Sequence, residues 1–91
     1  MTAAQRAFFE LFLSTAEGRG KLLESMFAPV QNDLDYAQAH PERLTRVEEW
    51  IVLFERIERR LDGSESYDRT RFSCLLSDLR VLRDQGATVA V

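Results

Sequence analysis

The sequence predicts an all-α fold: a small bundle of three to four helices whose last two form an antiparallel hairpin. Three observations lead there. Apolar residues recur at helical spacing along nearly the whole chain. No alternating apolar and polar run bounded by turn residues occurs, apart from the small tail ATVAV. Finally, the segment EEWIVLFERIERRL, residues 48–61, carries a wide apolar stripe in which Val47, Trp50, Ile51, Phe54, Ile57 and Leu61 share one side, flanked by Leu44 and Leu53.

The first helix is expected to start near Thr2, because Thr2 followed by Gln5 makes a capping box. Ala4, Phe8, Leu11, Phe12 and Thr15 then follow at helical spacing, and Leu22, Leu23, Met26 and Phe27 stay in phase with Phe8. Gly18 and Gly20 interrupt this pattern. Two interior glycines cost about 2 kcal/mol relative to alanine, an amount a buried stripe can offset. The expectation is one helix over about 2–27, interrupted at Gly18 and Gly20 and stopped by Pro29, with two separate helices as the alternative. A short helix over 30–39 follows, capped by Asn32 or Asp33, with Leu34 and Ala37 turned inward. Pro41 is suited to the first position of a long helix over 41–62, with Gly63 beyond its end as a left-handed residue. The connection GSES is short, so a last helix over 66–85 must lie antiparallel to the long one. Gly86 is its expected stop, and 86–91 a tail.

The long helix has a stripe too broad for one neighbour, so the first and last helices should flank it, with Val52 left on the charged outer side. The last helix offers Phe72, Leu75, Leu76, Leu79 and Leu82 to the core. Tyr67, Cys74 and Val81 form a second, weaker stripe at a spacing of seven. The first helix has more apolar side chain than one inward face requires. With Phe8, Leu11 and Phe12 turned inward, Phe9 and Leu13 remain to be covered by the 30–39 segment or by another molecule.

A chain of 91 residues holds at most one domain, and an apolar fraction of 45% is enough to fold it. The net charge of −3 attracts neither nucleic acid nor an anionic membrane. Cys74, the one cysteine, forbids an internal disulfide and fits a cytoplasmic protein. The stretch RAFFELFLSTA is too short to span a membrane, and Glu10 in its middle argues against a signal peptide. All but Lys21 of the 12 basic residues are arginine, a bias associated with GC-rich bacterial and phage genomes.

Chemistry finds little foothold, so no catalytic, metal or cofactor-binding residue is assigned. One His and one Cys do not make a zinc site, and DLDYAQAHPE lacks the glycine and terminal glutamate of a calcium loop. EGRG has no preceding strand and not the spacing of a phosphate loop. By elimination the expected function is a non-enzymatic regulator, adaptor or stoichiometric inhibitor that binds another protein, with a homodimer as the other candidate partner. The interface residues expected are Phe9, Leu13, Tyr67, Cys74 and Val81. The alternative is a nucleic-acid-binding regulator using Arg56, Arg59, Arg60, Arg69 and Arg71, which interleaved acids disfavour.

Overall fold

The structure, a computed structural model, describes residues 2–40, 42 and 44–89, the last four of them by their backbone alone. Four helices follow in order: α1 (Ala3–Leu13), α2 (Ala16–Ala39), α3 (Leu44–Glu58) and α4 (Arg69–Val89). The fold is the all-α bundle expected. The hairpin of α3 and α4 packs against α2, and α1 is an added short helix folded back on α2.

The boundary between α1 and α2 differs from expectation. Thr2 and Gln5 do form the capping box, each side chain accepting from the other's backbone N–H. The chain then turns at Ser14 and Thr15, not at the glycines. Thr15 is the N-cap of α2, its hydroxyl accepting from the Gly18 N–H at 3.0 Å. Pro29 does not stop the helix either. It lies on an exposed side of α2, where the carbonyl it leaves unpaired can meet water, so the expected separate helix at 30–39 is the second half of α2. Asn32 and Asp33 are accordingly interior helix residues and cap nothing, while Leu34 and Ala37 are buried as expected.

α3 follows its predicted stripe: Val47, Ile51, Phe54 and Ile57 are buried, Trp50, Leu53 and Leu61 pack at the edges, and Val52 is exposed. Its two flanks meet α4 and α2, so the portion of the expected first helix that packs there is α2. α2 packs against all three other helices, while α3 meets α1 only near Arg56. The placement of Pro41 at a helix start lies outside the described residues. α3 ends at Glu58, short of the predicted end, and Gly63 has a φ of +93° as its position implied. Asp68 opens α4, its carboxylate accepting from the Arg71 N–H at 3.0 Å. Phe72, Leu75, Leu76 and Leu79 of α4 are buried, and Phe72 meets Phe54 with ring centroids 5.1 Å apart. Gly86 does not end the helix, which continues to Val89.

The far ends of α2 and α3 are joined by a polar clasp. The Trp50 indole donates to Asp33 Oδ2 at 2.5 Å, and the Arg46 guanidinium donates to the same oxygen at 3.3 Å while lying 5.6 Å from the Trp50 ring. Replacing Trp50 with phenylalanine keeps most of the ring packing and removes the donor. The expected cost is about 1–1.5 kcal/mol, read by urea denaturation.

Candidate functional site

Eleven residues make a marginal helix in isolation, so the stability of α1 must come from its seat. That seat is at the end of the bundle where α3 finishes and α2 begins. Leu13 is 1% exposed and belongs to the core. Phe9 is half-buried beneath the Arg56 guanidinium, 5.3 Å from the ring. Glu10 sits between Arg56 and Arg60, pairing with both. Phe9 and Leu13, expected to be covered by the 30–39 segment or by another molecule, are therefore the residues that hold α1 in place.

The surplus is real but faces the other way. Phe8 is 62% and Leu11 66% exposed, both expected in the core. Phe12 is half-buried beside them, with its ring 5.3 Å from that of Phe8. Together with Ser14, Thr15, Glu17, Gly18 and Lys21 they line an open groove of about 360 Å³ between α1 and the start of α2. Its polar rim is the Glu17 and Lys21 pair at 2.9 Å, which holds the Glu17 carboxyl below the ordinary carboxylate range. An exposed aromatic and aliphatic pair with a charged rim has the composition of a protein contact surface.

The three positions expected on the last helix fall elsewhere. Tyr67 precedes the helix and is half-buried, edge-on to Phe72 at 5.8 Å with Arg69 at 5.0 Å over its ring. Cys74 is exposed, and Val81 is 51% exposed. Neither lines the α1 groove, so the structure does not gather the five expected interface residues into one surface.

Behind the groove lies a charged cluster that the sequence pattern did not bring out. Arg19, on the buried side of α2, donates from Nε to Glu65 Oε2 at 2.6 Å and from Nη1 to the Leu13 carbonyl at 2.9 Å. The same guanidinium reaches Asp62 at 3.4 Å. The Glu65 side chain is 0% exposed, and its oxygens also accept from the backbone N–H groups of Asp62 and Gly63, each at 3.0 Å. Burial pushes the Glu65 carboxyl up, but the Arg19 and backbone donors outweigh it and hold it below the ordinary value. Asp62 is also lowered, chiefly by the Ser64 hydroxyl and N–H. Arg69 completes the loop by donating to the carbonyls of Gly63 and Glu65.

Gly20 makes this closeness possible: a Cβ there would stand 2.5 Å from the Ser66 carbonyl oxygen. Gly18 does the same for the turn, where a Cβ would stand 2.3 Å from the Phe12 carbonyl oxygen. The glycines thus serve contact between segments, not a break in the helix. One sign was present in the sequence: at 100° per residue Arg19 falls inside the stripe of Met26, Val30 and Ala37, where a charge must find a buried partner.

No known family, curated protein or solved structure matches the chain.

The remaining candidate chemistry is occupied with structural work. Asp33 serves Trp50 and Arg46, while His40 stacks on Tyr36 at 4.0 Å and meets Glu42 at 3.1 Å. Among the described residues no three His, Cys, Asp or Glu side chains converge as a metal site would require, and no helix is long and apolar enough to cross a membrane. Of the arginines proposed for nucleic acid, Arg56 and Arg60 pair with Glu10, Arg69 binds the loop, and Arg71 lies 5.5 Å from the Phe27 ring.

Proposed function

We propose that the protein works by binding another protein, without catalysis, as a small adaptor, regulator or stoichiometric inhibitor, and that it docks through the outer face of α1. The observation that carries this reading is the adjacent exposure of Phe8 and Leu11 on a helix already anchored from its opposite side. With about a third of each side chain already covered, a partner that buries the rest would recover roughly 1–2 kcal/mol from each. The anchoring matters as much. Arg56, Arg60 and Arg19 fix the orientation of α1 before a partner arrives, so less ordering is required on docking. The partner surface best matched to this groove is itself apolar, with at least one charge to meet Glu17 or Lys21 at the rim.

The test is a double substitution, Phe8→Glu with Leu11→Glu. Because both positions are exposed, the unfolding free energy should change by no more than about 0.5 kcal/mol, as is typical of surface changes. Affinity enrichment from the source cells, compared between the native chain and this variant, should then show proteins retained by the first and lost by the second. An identical retained set for both would remove α1 from consideration as the docking face.

A further inference from the structure

We propose that two copies of this chain exchange α1: the turn at Ser14–Thr15 opens, Ala3–Ala39 becomes one straight helix, and each α1 takes its seat on the body of the other copy. The inference rests on the hinge and is independent of the docking partner proposed above.

The turn between α1 and α2 is nearly helical already. Ser14 has φ −74° and ψ −18°, within the right-handed helical region, whereas Thr15 has φ −127° and ψ 153°. Rotation at Thr15 is the main change needed to join the two helices. Short hinges of this kind favour exchange, because the folded-back form confines the turn and the exchanged form releases it.

The seat is ready for a second copy. Leu13 is the one fully buried residue of α1, and Phe9 beneath Arg56 and Glu10 between two arginines supply the other contacts with α3. Each of these joins α1 to the body, so each can be remade between copies with unchanged geometry. Straightening also has a use for the side chains left outside. Counted through a continuous helix, Phe8 and Phe12 fall in phase with Met26 and Val30 of the buried stripe, so the exposed rings extend that stripe beyond the body.

Three features hold the bent form: the Thr15 cap on Gly18, the Arg19 bond to the Leu13 carbonyl, and the missing Cβ of Gly18 where the Phe12 carbonyl passes. Replacing Thr15 and Gly18 together with alanine removes the cap, crowds the turn and favours the continuous helix. At equal protein concentration the ratio of dimer to monomer by light scattering is expected to rise at least about tenfold over the native chain.

Exchange is separated from other dimers by cross-linking. With Glu10→Cys and Arg60→Cys in a Cys74→Ser background, a short bismaleimide should join the exchanged dimer covalently, since the two sites then face each other across copies. A hinge variant that folds as a monomer, or whose dimer runs as a monomer on a denaturing gel after cross-linking, overturns the proposal. Should the hinge variant not fold, the native hinge is tested by refolding at high concentration. The cross-linkable dimer is expected there and should be lost when Gly-Ser-Gly-Ser is inserted between Ser14 and Thr15; no dimer in the first, or equal dimer in both, overturns it.

Discussion

Replacing Arg19 with methionine is expected to lower the unfolding free energy by about 3 kcal/mol at neutral pH, the lower end of the range for removing one partner of a buried ion pair. The lower end applies because Glu65 belongs to the loop after α3 and not to the centre of the bundle. The loss comes mainly from what stays behind: a carboxylate with a fully covered side chain, deprived of its cationic donor, and a Leu13 carbonyl deprived of its hydrogen bond. The pH dependence gives the claim its sign. In the native chain the Glu65 carboxyl is held below its ordinary value of 4.5, so its contribution is complete above that value and is lost as pH falls through the lower folded value. Without Arg19 the effect of burial grows in relative weight and the folded value moves upward. Acid then relieves the variant while it weakens the native chain, so the difference between them should narrow on acidification. Urea denaturation of both chains across neutral and acid pH measures this. Replacing Arg19 and Glu65 together by methionine should recover much of the loss, since neither charge is then left buried alone. A deficit of less than about 1 kcal/mol in the single variant would show that water reaches Glu65 freely.

The second large effect is expected at Gly20. Alanine is the better helix former by about 1 kcal/mol, so propensity alone predicts that Gly20→Ala stabilises α2. The structure reverses the sign. The new Cβ would meet the Ser66 carbonyl oxygen at 2.5 Å and the Ser66 carbonyl carbon and nitrogen at 3.3 and 3.4 Å, all of them backbone. That backbone has little freedom to retreat. Glu65 is held by Arg19 and the neighbouring N–H groups, and Asp68 donates its N–H to Glu24 of α2 at 2.8 Å. The net cost is expected to be about 2 kcal/mol, with a lower thermal midpoint. A gain in stability would mean that the loop after α3 yields without disturbing the ionic cluster.

Both effects arise where sequence reasoning was least able to see. The α3 stripe and the inward face of α4 were legible because each forms one coherent apolar band with charged residues opposite. Such a band has a single rotation that buries it. In α1 the apolar set Phe8, Phe9, Leu11, Phe12 and Leu13 is broader than one inward face, so spacing alone does not say which part of it turns to the core. The choice rests on Arg56 and Arg60, which draw Glu10 and cover Phe9. This is why the expected interface residues Phe9 and Leu13 proved to be the anchor and Phe8 and Leu11 the exposed pair. Gly18 and Gly20 misled for a related reason. Their low helix propensity is local, whereas their role depends on the Phe12 and Ser66 carbonyls that pass them. The real turn had its own signal in Ser14 and Thr15, residues suited to helix ends because their hydroxyls satisfy free backbone groups.

By itself the sequence determined that this chain is helical, which sides of α3 and α4 lie in the core, and that those helices return on each other, though the connection is residues 59–68 and not the four-residue turn expected. These follow from the spacing of apolar residues along each helix, which is a local quantity. Only the tertiary structure decided which way α1 faces and that Arg19 and Glu65, 46 residues apart, share a buried bond. Those outcomes depend on groups brought together by packing, and no periodicity within a single segment encodes them.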